Sequence, residues 1–368
     1  MANTTKPNVI ILGGLGFIGR NLVEYLTDKG LANKIRVLDK VIPDLAGLSQ
    51  KQAALFKGHD VVEFKQVNLA REAMVSKGFA DGPWDFVVNL AGETKYSQTP
   101  AVYKENINDV TVTCAKQAAA SGVKRFIEVS TSQVYASDKK ASNESGKIKP
   151  WTALAEAKYS AEQALKDIKG LNYVIVRPAI VYGPGDITGL TPRLICGAVY
   201  QHLGETMEFL WDKDLRISTV HVHDVCAALW HLTTHGDNGA VFNLADSGET
   251  DQGTVAKFIE SIFKIKTDFM GNMKSKLATA VAMKMVAETA NEKHLKPWSD
   301  LCKSKGISNT PLTPYLDEEL LYNDHLSVDG TAITKIGFSY QHPKPTEELL
   351  RATLQYFIDN GFFPAGLI

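Results

Sequence analysis

Short stretches rich in apolar residues alternate with amphipathic stretches through the first half of the chain. The mainly apolar runs lie at 9–12, 35–38, 61–67, 86–90, 126–129 and 173–176. The two clearest helical patterns, 21–28 and 110–120, lie between such runs. A run with few polar positions is typical of a strand buried on both faces, and strands that alternate with helices form parallel sheets. The pattern therefore predicts an α/β fold with a doubly wound parallel sheet of the Rossmann type.

The pattern changes beyond residue 178, where glycines separate shorter elements. It predicts one more strand and helix at 219–222 and 225–232, a further strand at 241–244, and a region poor in strands over 247–345. We therefore expect a smaller, mostly helical C-terminal lobe that binds the substrate. The expected boundaries are 1–181 and 217–246 for the Rossmann-type domain, and 182–216 and 247–368 for the substrate-binding lobe.

Residues 274–292 have a helical pattern with one broad apolar face. This face carries Leu277, Ala278, Val281, Ala282 and Met285. We interpret the stretch as a helix that packs on the substrate lobe, with a lid or a helix lying on a membrane surface as the alternative. No run of about 18 apolar residues occurs, so no membrane-spanning helix is predicted.

The composition describes an ordinary globular protein. The 368 residues are 44% hydrophobic, and 40 basic side chains against 41 acidic ones give a net charge of −1. These values exclude disordered and fibrous classes and give no reason to expect a nucleic acid partner. The four cysteines are scattered, so neither disulfides nor a cysteine zinc site is expected. A polar start that leads directly into the first strand predicts no signal peptide, and we expect a cytoplasmic protein.

A glycine-rich segment, Gly13-Gly14-Leu15-Gly16-Phe17-Ile18-Gly19, follows the first predicted strand and begins a helix. Such glycines permit a tight turn and let backbone N–H groups approach a pyrophosphate at the helix N-terminus. Asp39 ends the second predicted strand twenty residues later, where a carboxylate can bind the ribose hydroxyls of the adenosine. The sequence therefore predicts a dinucleotide site. NAD is favoured because Asp39 repels the 2′-phosphate of NADP, although the neighbouring Lys40 weakens that preference.

Further motifs follow in a recognisable order. They are Asn68-Leu69, Asn89-Leu90-Ala91-Gly92, the segment 130–135, Arg177-Pro178, and the segments 182–186 and 220–225. With these motifs the sequence resembles the extended short-chain dehydrogenase/reductase superfamily, in its NAD-dependent epimerase/dehydratase and 3β-hydroxysteroid dehydrogenase-like branch. The resemblance covers roughly residues 8–246, and nothing in the family matches 265–325.

The resemblance implies where the cofactor lies. By analogy, Asn68 and Leu69 lie at the adenine, Leu90-Ala91-Gly92 lines the cofactor ribose, and Pro178 borders the nicotinamide. Asn68 replaces the usual aspartate but keeps a carbonyl oxygen that can accept a hydrogen bond from the adenine amino group.

The catalytic set of the family is only partly present. Its Ser/Thr falls on Thr131, whose hydroxyl would hold a substrate oxygen, but its Tyr-x-x-x-Lys motif is not intact. One alignment takes Lys158 as the lysine and puts Leu154 at the tyrosine position. The other takes Tyr159 as the tyrosine and puts Gln163 at the lysine position. We prefer the first, because Tyr159 lies about 140° around the helix from position 154.

Two interpretations follow from Leu154. In the first, another group near the strand ends supplies the proton, and Glu93, Tyr96 and Tyr135 are the candidates. In the second, the chain is a catalytically silent NAD(P)-binding subunit or a redox sensor. We favour the enzyme, an NAD-dependent oxidoreductase, epimerase or dehydratase that transfers hydride at a secondary alcohol or carbonyl carbon.

The candidate substrate contacts are Ser132, Arg193 and Arg216, and the arginines suit a phosphate or carboxylate. Relative to nucleotide-sugar members of the family, however, Arg216 lies one residue early, and Ala179 stands where those members often have Asn. Both departures count against a nucleotide-sugar substrate. The segment from Arg177 to Asp186 resembles the steroid and small-alcohol branch more closely, and the apolar helix at 277–286 would suit a small, hydrophobic substrate.

Two further expectations concern metals and assembly. His221 and His223 alternate along a predicted strand, but the sequence places no third ligand beside them, so no metal is expected. The resemblance implies a homodimer that forms through the helices at 110–120 and 155–168.

Overall fold

The computed structural model describes residues 6–368, apart from the side chains of 279–282. The strands are β1 (Asn8–Leu12), β2 (Lys34–Asp39), β3 (Val62–Gln66), β4 (Phe86–Asn89), β5 (Arg125–Val129), β6 (Tyr173–Pro178), β7 (Ile180–Tyr182), β8 (Met207–Phe209), β9 (Thr219–His221), β10 (Ala240–Leu244) and β11 (Thr267–Phe269). The helices are α1 (Phe17–Asp28), α2 (Gln50–Leu55), α3 (Glu72–Phe79), α4 (Pro100–Tyr103), α5 (Val110–Ala120), α6 (Ala153–Leu165), α7 (Thr191–Leu203), α8 (Val222–His231), α9 (Gln252–Phe263), α10 (Asn272–Ser304) and α11 (Glu347–Asp359).

Seven strands form one parallel sheet in the order β10-β6-β5-β4-β1-β2-β3. Its central strand is β4, and β1 lies next to it, where Val9 lies opposite Ile35 of β2 and Phe86 of β4. This arrangement confirms the doubly wound sheet. The carboxyl ends of β1, β2, β4, β5 and β6 open on one edge, which is where ligands bind in such sheets.

Alternation along β1 explains why the run at 9–12 is apolar throughout. Val9 and Ile11 pack in one layer with α1 and α8, whereas Ile10 and Leu12 pack in the other with α3, α5 and α6. Ile333, late in the chain, belongs to the first of these layers. The polypeptide therefore returns to the Rossmann core before α11 begins.

The remaining helices form a second core, as expected for a helical C-terminal lobe. It joins α7, α9 and α11 to the last turns of α10 through Leu194, Ile259, Phe263, Trp298 and Leu354. None of the helices in the described part of the chain combines the length and apolar character that a membrane crossing requires.

The buried face of α10 differs from the predicted one. Leu277 and Met285 are 76% and 61% exposed. The lobe instead buries a face that includes Ser275, Met283 and Asn291. Two of these residues are polar, and Ser275 Oγ accepts a hydrogen bond from Trp211 N at 2.8 Å. A pattern of hydrophobic residues cannot reveal a buried face that contains polar side chains. Val281 and Ala282, also predicted on the apolar face, have side chains outside the described set.

The predicted strand at 219–222 is one residue shorter, and this changes the relation between two histidines. His221 ends β9 and caps α8, because its Nδ1 accepts a hydrogen bond from His223 N at 3.3 Å. His223 therefore lies in the first turn of α8, so the two residues do not alternate along one strand.

Candidate active site

The glycine segment between β1 and α1 is shaped by close backbone contacts. Gly13 has a φ of +70°, and a Cβ there would lie 2.7 Å from the backbone of Ala91. A Cβ on Gly19 would lie 2.5 Å from the carbonyl oxygen of Gly13. Gly16 begins α1 without a side-chain cap, which leaves the first N–H groups of the helix, those of Phe17 and Ile18 among them, for a ligand. These features fit a pyrophosphate, which needs close backbone approach and free N–H groups.

Asp39 lies beside this segment at the carboxyl end of β2. Its Oδ2 accepts from Leu15 N at 3.1 Å and its Oδ1 from Val41 N at 3.0 Å. The carboxylate is thus fixed where the ribose hydroxyls of a dinucleotide would meet it, whereas the neighbouring Lys40 is exposed to solvent.

The residues expected at the adenine differ in what they offer. Asn68 is exposed, and its Oδ1 accepts from Ala70 N at 3.0 Å while keeping a second lone pair. Leu69 is buried in the layer beneath the sheet, so only its backbone can face a ligand.

Lys158 lies at the ends of β4 and β5. Its Nζ donates to Val129 O at 2.8 Å. A Cβ on Gly92 would lie 3.3 Å from Lys158 Nζ. Tyr159 turns to another side of α6, where it packs against Val134 and Ala155. Lys158 thus reaches the loop at Leu90-Ala91-Gly92, as the first alignment requires.

A buried acid that the sequence analysis missed lies near Lys158. Glu128 of β5 accepts hydrogen bonds from Asn89 Nδ2 at 2.6 Å and from Thr111 Oγ1 at 3.1 Å. Burial raises the pKa of Glu128 to about 7, which the charge of Lys158 opposes, and burial lowers the pKa of Lys158. A charged residue inside the apolar run 126–129 was the available signal.

Thr131 follows β5 and begins a short 3-10 turn. Its Oγ1 accepts from Gln133 N at 3.2 Å, which leaves its hydroxyl proton for another acceptor. Ser130 next to it has a buried hydroxyl without a hydrogen-bond partner among the described residues. Ser132 is committed to the fold, because its buried hydroxyl donates to Arg177 O at 2.7 Å. Of the predicted pair, Thr131 is therefore free to contact a substrate and Ser132 is not.

Tyr96 extends from the loop after β4. Its ring packs against a cluster formed by Tyr103, Ile107, Leu154 and Ala161. Its hydroxyl accepts from Gln133 Nε2 at 2.9 Å, and burial raises the pKa of Tyr96 to about 12. The tyrosine therefore stays protonated near neutral pH and packs against the cluster that contains Leu154.

A cavity of about 1100 Å³ lies between this loop and the helical lobe. Much of its wall is apolar. This part includes Phe209, Trp211, Met285, Val286, Leu316 and Leu321. Tyr96 and Arg193 are among the polar residues that line it. The cavity offers a large, mainly apolar site next to the sheet edge.

Comparison with known proteins agrees with this geometry. The model of the NAD dependent epimerase/dehydratase family matches residues 9–245. The chain belongs to this family. The family is described as NAD dependent, and the geometry of the glycine segment and Asp39 fits that cofactor.

Individual relatives are distant. A low-salt glycan biosynthesis protein of Haloferax volcanii is 28% identical over 271 residues, which cover 69% of this chain and 82% of that protein. A 4-hydroxy-2-methyl-3-oxo-4-farnesyl-3,4-dihydroquinoline-1-oxide ketoreductase of Stigmatella aurantiaca is 25% identical over 280 residues, covering 74% and 78%. Among solved structures, a dTDP-glucose 4,6-dehydratase of Streptomyces venezuelae with NAD bound has a TM-score of 0.71 at 18% identity, over 98% of this chain and all of that one.

Two of the three predicted proton donors are held by hydrogen bonds within the protein. The hydroxyl of the buried Tyr135 donates to Asn243 Oδ1 and accepts from Arg177 Nη1, both at 2.8 Å. Glu93 orders its own loop, since its Oε1 accepts from the N–H groups of Thr94 and Lys95 at 2.9 Å. Only Tyr96 of the three candidates lines the cavity in the described part of the chain.

The two predicted arginines are separated. Arg193 lines the cavity, where it makes one long hydrogen bond to Gly189 O at 3.3 Å and no ion pair with any described residue. Arg216 instead turns towards Glu249, whose carbonyl oxygen accepts from Nη1 at 2.7 Å. Arg193 thus lines the cavity, whereas Arg216 does not. Pro178, the expected neighbour of the nicotinamide, is buried at the end of β6.

Proposed function

We propose that this chain is an NAD-dependent oxidoreductase that acts at a secondary alcohol or carbonyl carbon of a hydrophobic substrate. The observation that carries the proposal is the position of Tyr96, a protonated hydroxyl that lines an apolar cavity near the ends of β4 and β5. Bound NAD would supply or accept the hydride. The residues proposed to hold it are Gly13, Gly16, Gly19 and Asp39 together with Lys158.

In this proposal Tyr96 has the role of the family's catalytic tyrosine, whose position is occupied here by Leu154. Thr131 donates a hydrogen bond to the substrate oxygen, and Tyr96 transfers a proton to it. The raised pKa of Tyr96 supports reduction of a carbonyl over oxidation of an alcohol, because the protonated phenol is the form present near neutral pH.

The neighbouring side chain argues against loss of water from the substrate. Gln133 bonds Tyr96 and accepts from Thr152 Oγ1 at 3.2 Å. A side-chain amide is neither an acid nor a base near neutral pH, so this position offers neither the acid nor the base that an elimination needs. We therefore place the reaction with carbonyl reduction.

The cavity supports a hydrophobic substrate that carries one polar or anionic group. The apolar wall favours a hydrocarbon body, and Arg193, without an ion-pair partner, favours a carboxylate, phosphate or polarised oxygen on it. The ketoreductase relative, whose name gives a farnesylated ketone, adds support.

The test is turnover with two matched substrate panels. One contains isoprenoid and steroid ketones, and the other contains UDP-glucose and dTDP-glucose, each with NADH or NADPH. We expect NADH oxidation with apolar ketones. Conversion of nucleotide sugars alone would refute the substrate class.

The alternative, a silent NAD-binding subunit, rests on Leu154 and has its own test. Leu154→Tyr restores the family residue, so a silent scaffold would gain activity, whereas an enzyme that uses Tyr96 would not improve. The expected result is unchanged or lower turnover in this variant. We also keep the homodimer through α5 and α6 as a proposal, which light scattering on the purified chain tests.

A further inference from the structure

Three histidines meet at the start of α8, separate from the cavity, and one of them comes from a remote part of the sequence. They are His221, His223 and His342, and each offers one ring nitrogen within 4.8 Å of the others. The ring of His221 lies 4.0 Å from that of His342 and 4.8 Å from that of His223, measured between centroids. The sequence analysis expected no metal because a third ligand was missing, and His342 is that ligand.

The backbone holds these residues in place. His221 caps α8 and His223 lies in its first turn, so both belong to one rigid element. The segment with His342 docks on the same turn, because the buried carboxylate of Asp224 accepts from the N–H groups of Gln341 and His342, each at 2.8 Å. The cluster is therefore a consequence of how the C-terminal segment closes on α8.

A carboxylate also orients one of the rings. Asp224 Oδ2 lies 3.2 Å from His342 Nδ1. A proton on Nδ1 that is shared with this carboxylate leaves the lone pair of Nε2 for a metal, as is usual for histidines that bind metals. If the three histidine rings only packed against one another, no carboxylate beside His342 would be needed. The position of Asp224 therefore favours a metal site over simple ring packing.

The other two rings make few competing contacts. The ring of His223 is exposed and has no hydrogen-bond partner among the described residues. Neutral His221 has one lone pair, which its Nδ1 uses in the cap bond of 3.3 Å, so metal binding by His221 gives up this long hydrogen bond. A zinc ion with bonds of about 2.0–2.1 Å brings its ligand nitrogens to roughly 3.4 Å from one another, so the rings have to close from separations of up to 4.8 Å.

We propose that His221, His223 and His342 bind a divalent transition-metal ion, with zinc as the best fit. Three imidazoles and one water complete a tetrahedral site, and imidazole suits zinc better than magnesium or calcium, which prefer oxygen ligands. The bound ion ties the C-terminal segment to the start of α8. Its role is structural, and the proposal does not depend on the reaction at the cavity.

The test is a zinc titration of the full chain, prepared without a histidine tag and stripped with a chelator. Calorimetry is expected to give one zinc per chain, and cobalt in its place is expected to give the intense visible absorption of a tetrahedral site. His342→Ala and the exposed His223→Ala should each weaken zinc binding at least tenfold and abolish the rise in melting temperature that zinc causes in the parent.

A matched control is available in the same domain. His235 is exposed and stacks on His231 at 3.9 Å between centroids, so it is also a paired histidine. His235→Ala should leave zinc binding unchanged. Absence of zinc binding at micromolar concentration, or binding that persists in both His342→Ala and His223→Ala, would overturn the proposal. Circular dichroism of each variant separates loss of the site from loss of the fold.

Discussion

Tyr96→Phe tests the proposed proton donor directly. The variant keeps the ring that packs against the Leu154 cluster and removes only the hydroxyl. If Tyr96 is the general acid, its loss should lower kcat by about 10²- to 10⁴-fold, the usual contribution of such a group. Substrate binding depends on the cavity wall, so KM should change far less.

The same substitution has a separate effect on stability. Gln133 Nε2 loses its acceptor at 2.9 Å in a buried setting, which costs about 1–3 kcal/mol. A fall in kcat could therefore be confused with partial unfolding. The free energy of unfolding, measured by denaturant titration, has to accompany the kinetics.

Tyr103→Phe is the matched control. Tyr103 belongs to the same cluster, and its hydroxyl donates to Lys95 O at 2.9 Å and accepts from Gln98 N at 3.2 Å. It does not line the cavity in the described structure. The control should lose at least as much stability and keep its kcat. If Tyr96→Phe is less than about tenfold slower than Tyr103→Phe, the role of Tyr96 is refuted.

Three further predictions concern the cofactor, the substrate and the buried acid. Gly13→Ala should abolish NAD binding in calorimetry, because φ is +70° and the new Cβ would lie 2.7 Å from the backbone of Ala91. The control Gly47→Ala has a φ of +59° and no atom within 4 Å of the new Cβ, so this variant should bind NAD normally. Arg193→Met should raise KM for ketones that carry an anionic group with little change in kcat, whereas equal effects of Arg216→Met would contradict the assignment. The carboxyl of Glu128 has a pKa raised from 4.5 to about 7, so the folded chain holds a proton that the unfolded chain has released. Unfolding free energy should therefore fall by up to ~3 kcal/mol between pH 4.5 and 7 relative to Glu128→Gln, and parallel pH curves would show that Glu128 is not so perturbed.

The sequence was sufficient where structure depends on neighbours along the chain. The strands of the sheet were found because residues such as Val9 and Ile10 are buried on opposite faces, which makes the whole run apolar. The glycine segment and Asp39 were found because their spacing is local. In both cases the physical constraint acts within one strand–helix unit.

Contacts between remote segments were not predictable in this way. Tyr135 and Tyr96 looked equivalent in the sequence, and only the fold brings Asn243 to the first and Gln133 to the second. His342 follows His221 by more than a hundred residues, and nothing near it in the sequence indicates a partner. The direction in which Arg216 turns depends in the same way on Glu249.

The lysine and the proton donor of the family's catalytic set face different constraints. The proton donor can therefore come from another position in the sequence, whereas the lysine cannot. In the proposed enzyme Lys158 has to reach the cofactor ribose at the sheet edge, and its contact with Val129 O at 2.8 Å holds it at the ends of β4 and β5. The proposed proton donor only has to reach the substrate oxygen beside Thr131. Tyr96, on the loop after β4, would do so without a residue at position 154. Retention of the lysine together with loss of the tyrosine is therefore compatible with a working enzyme.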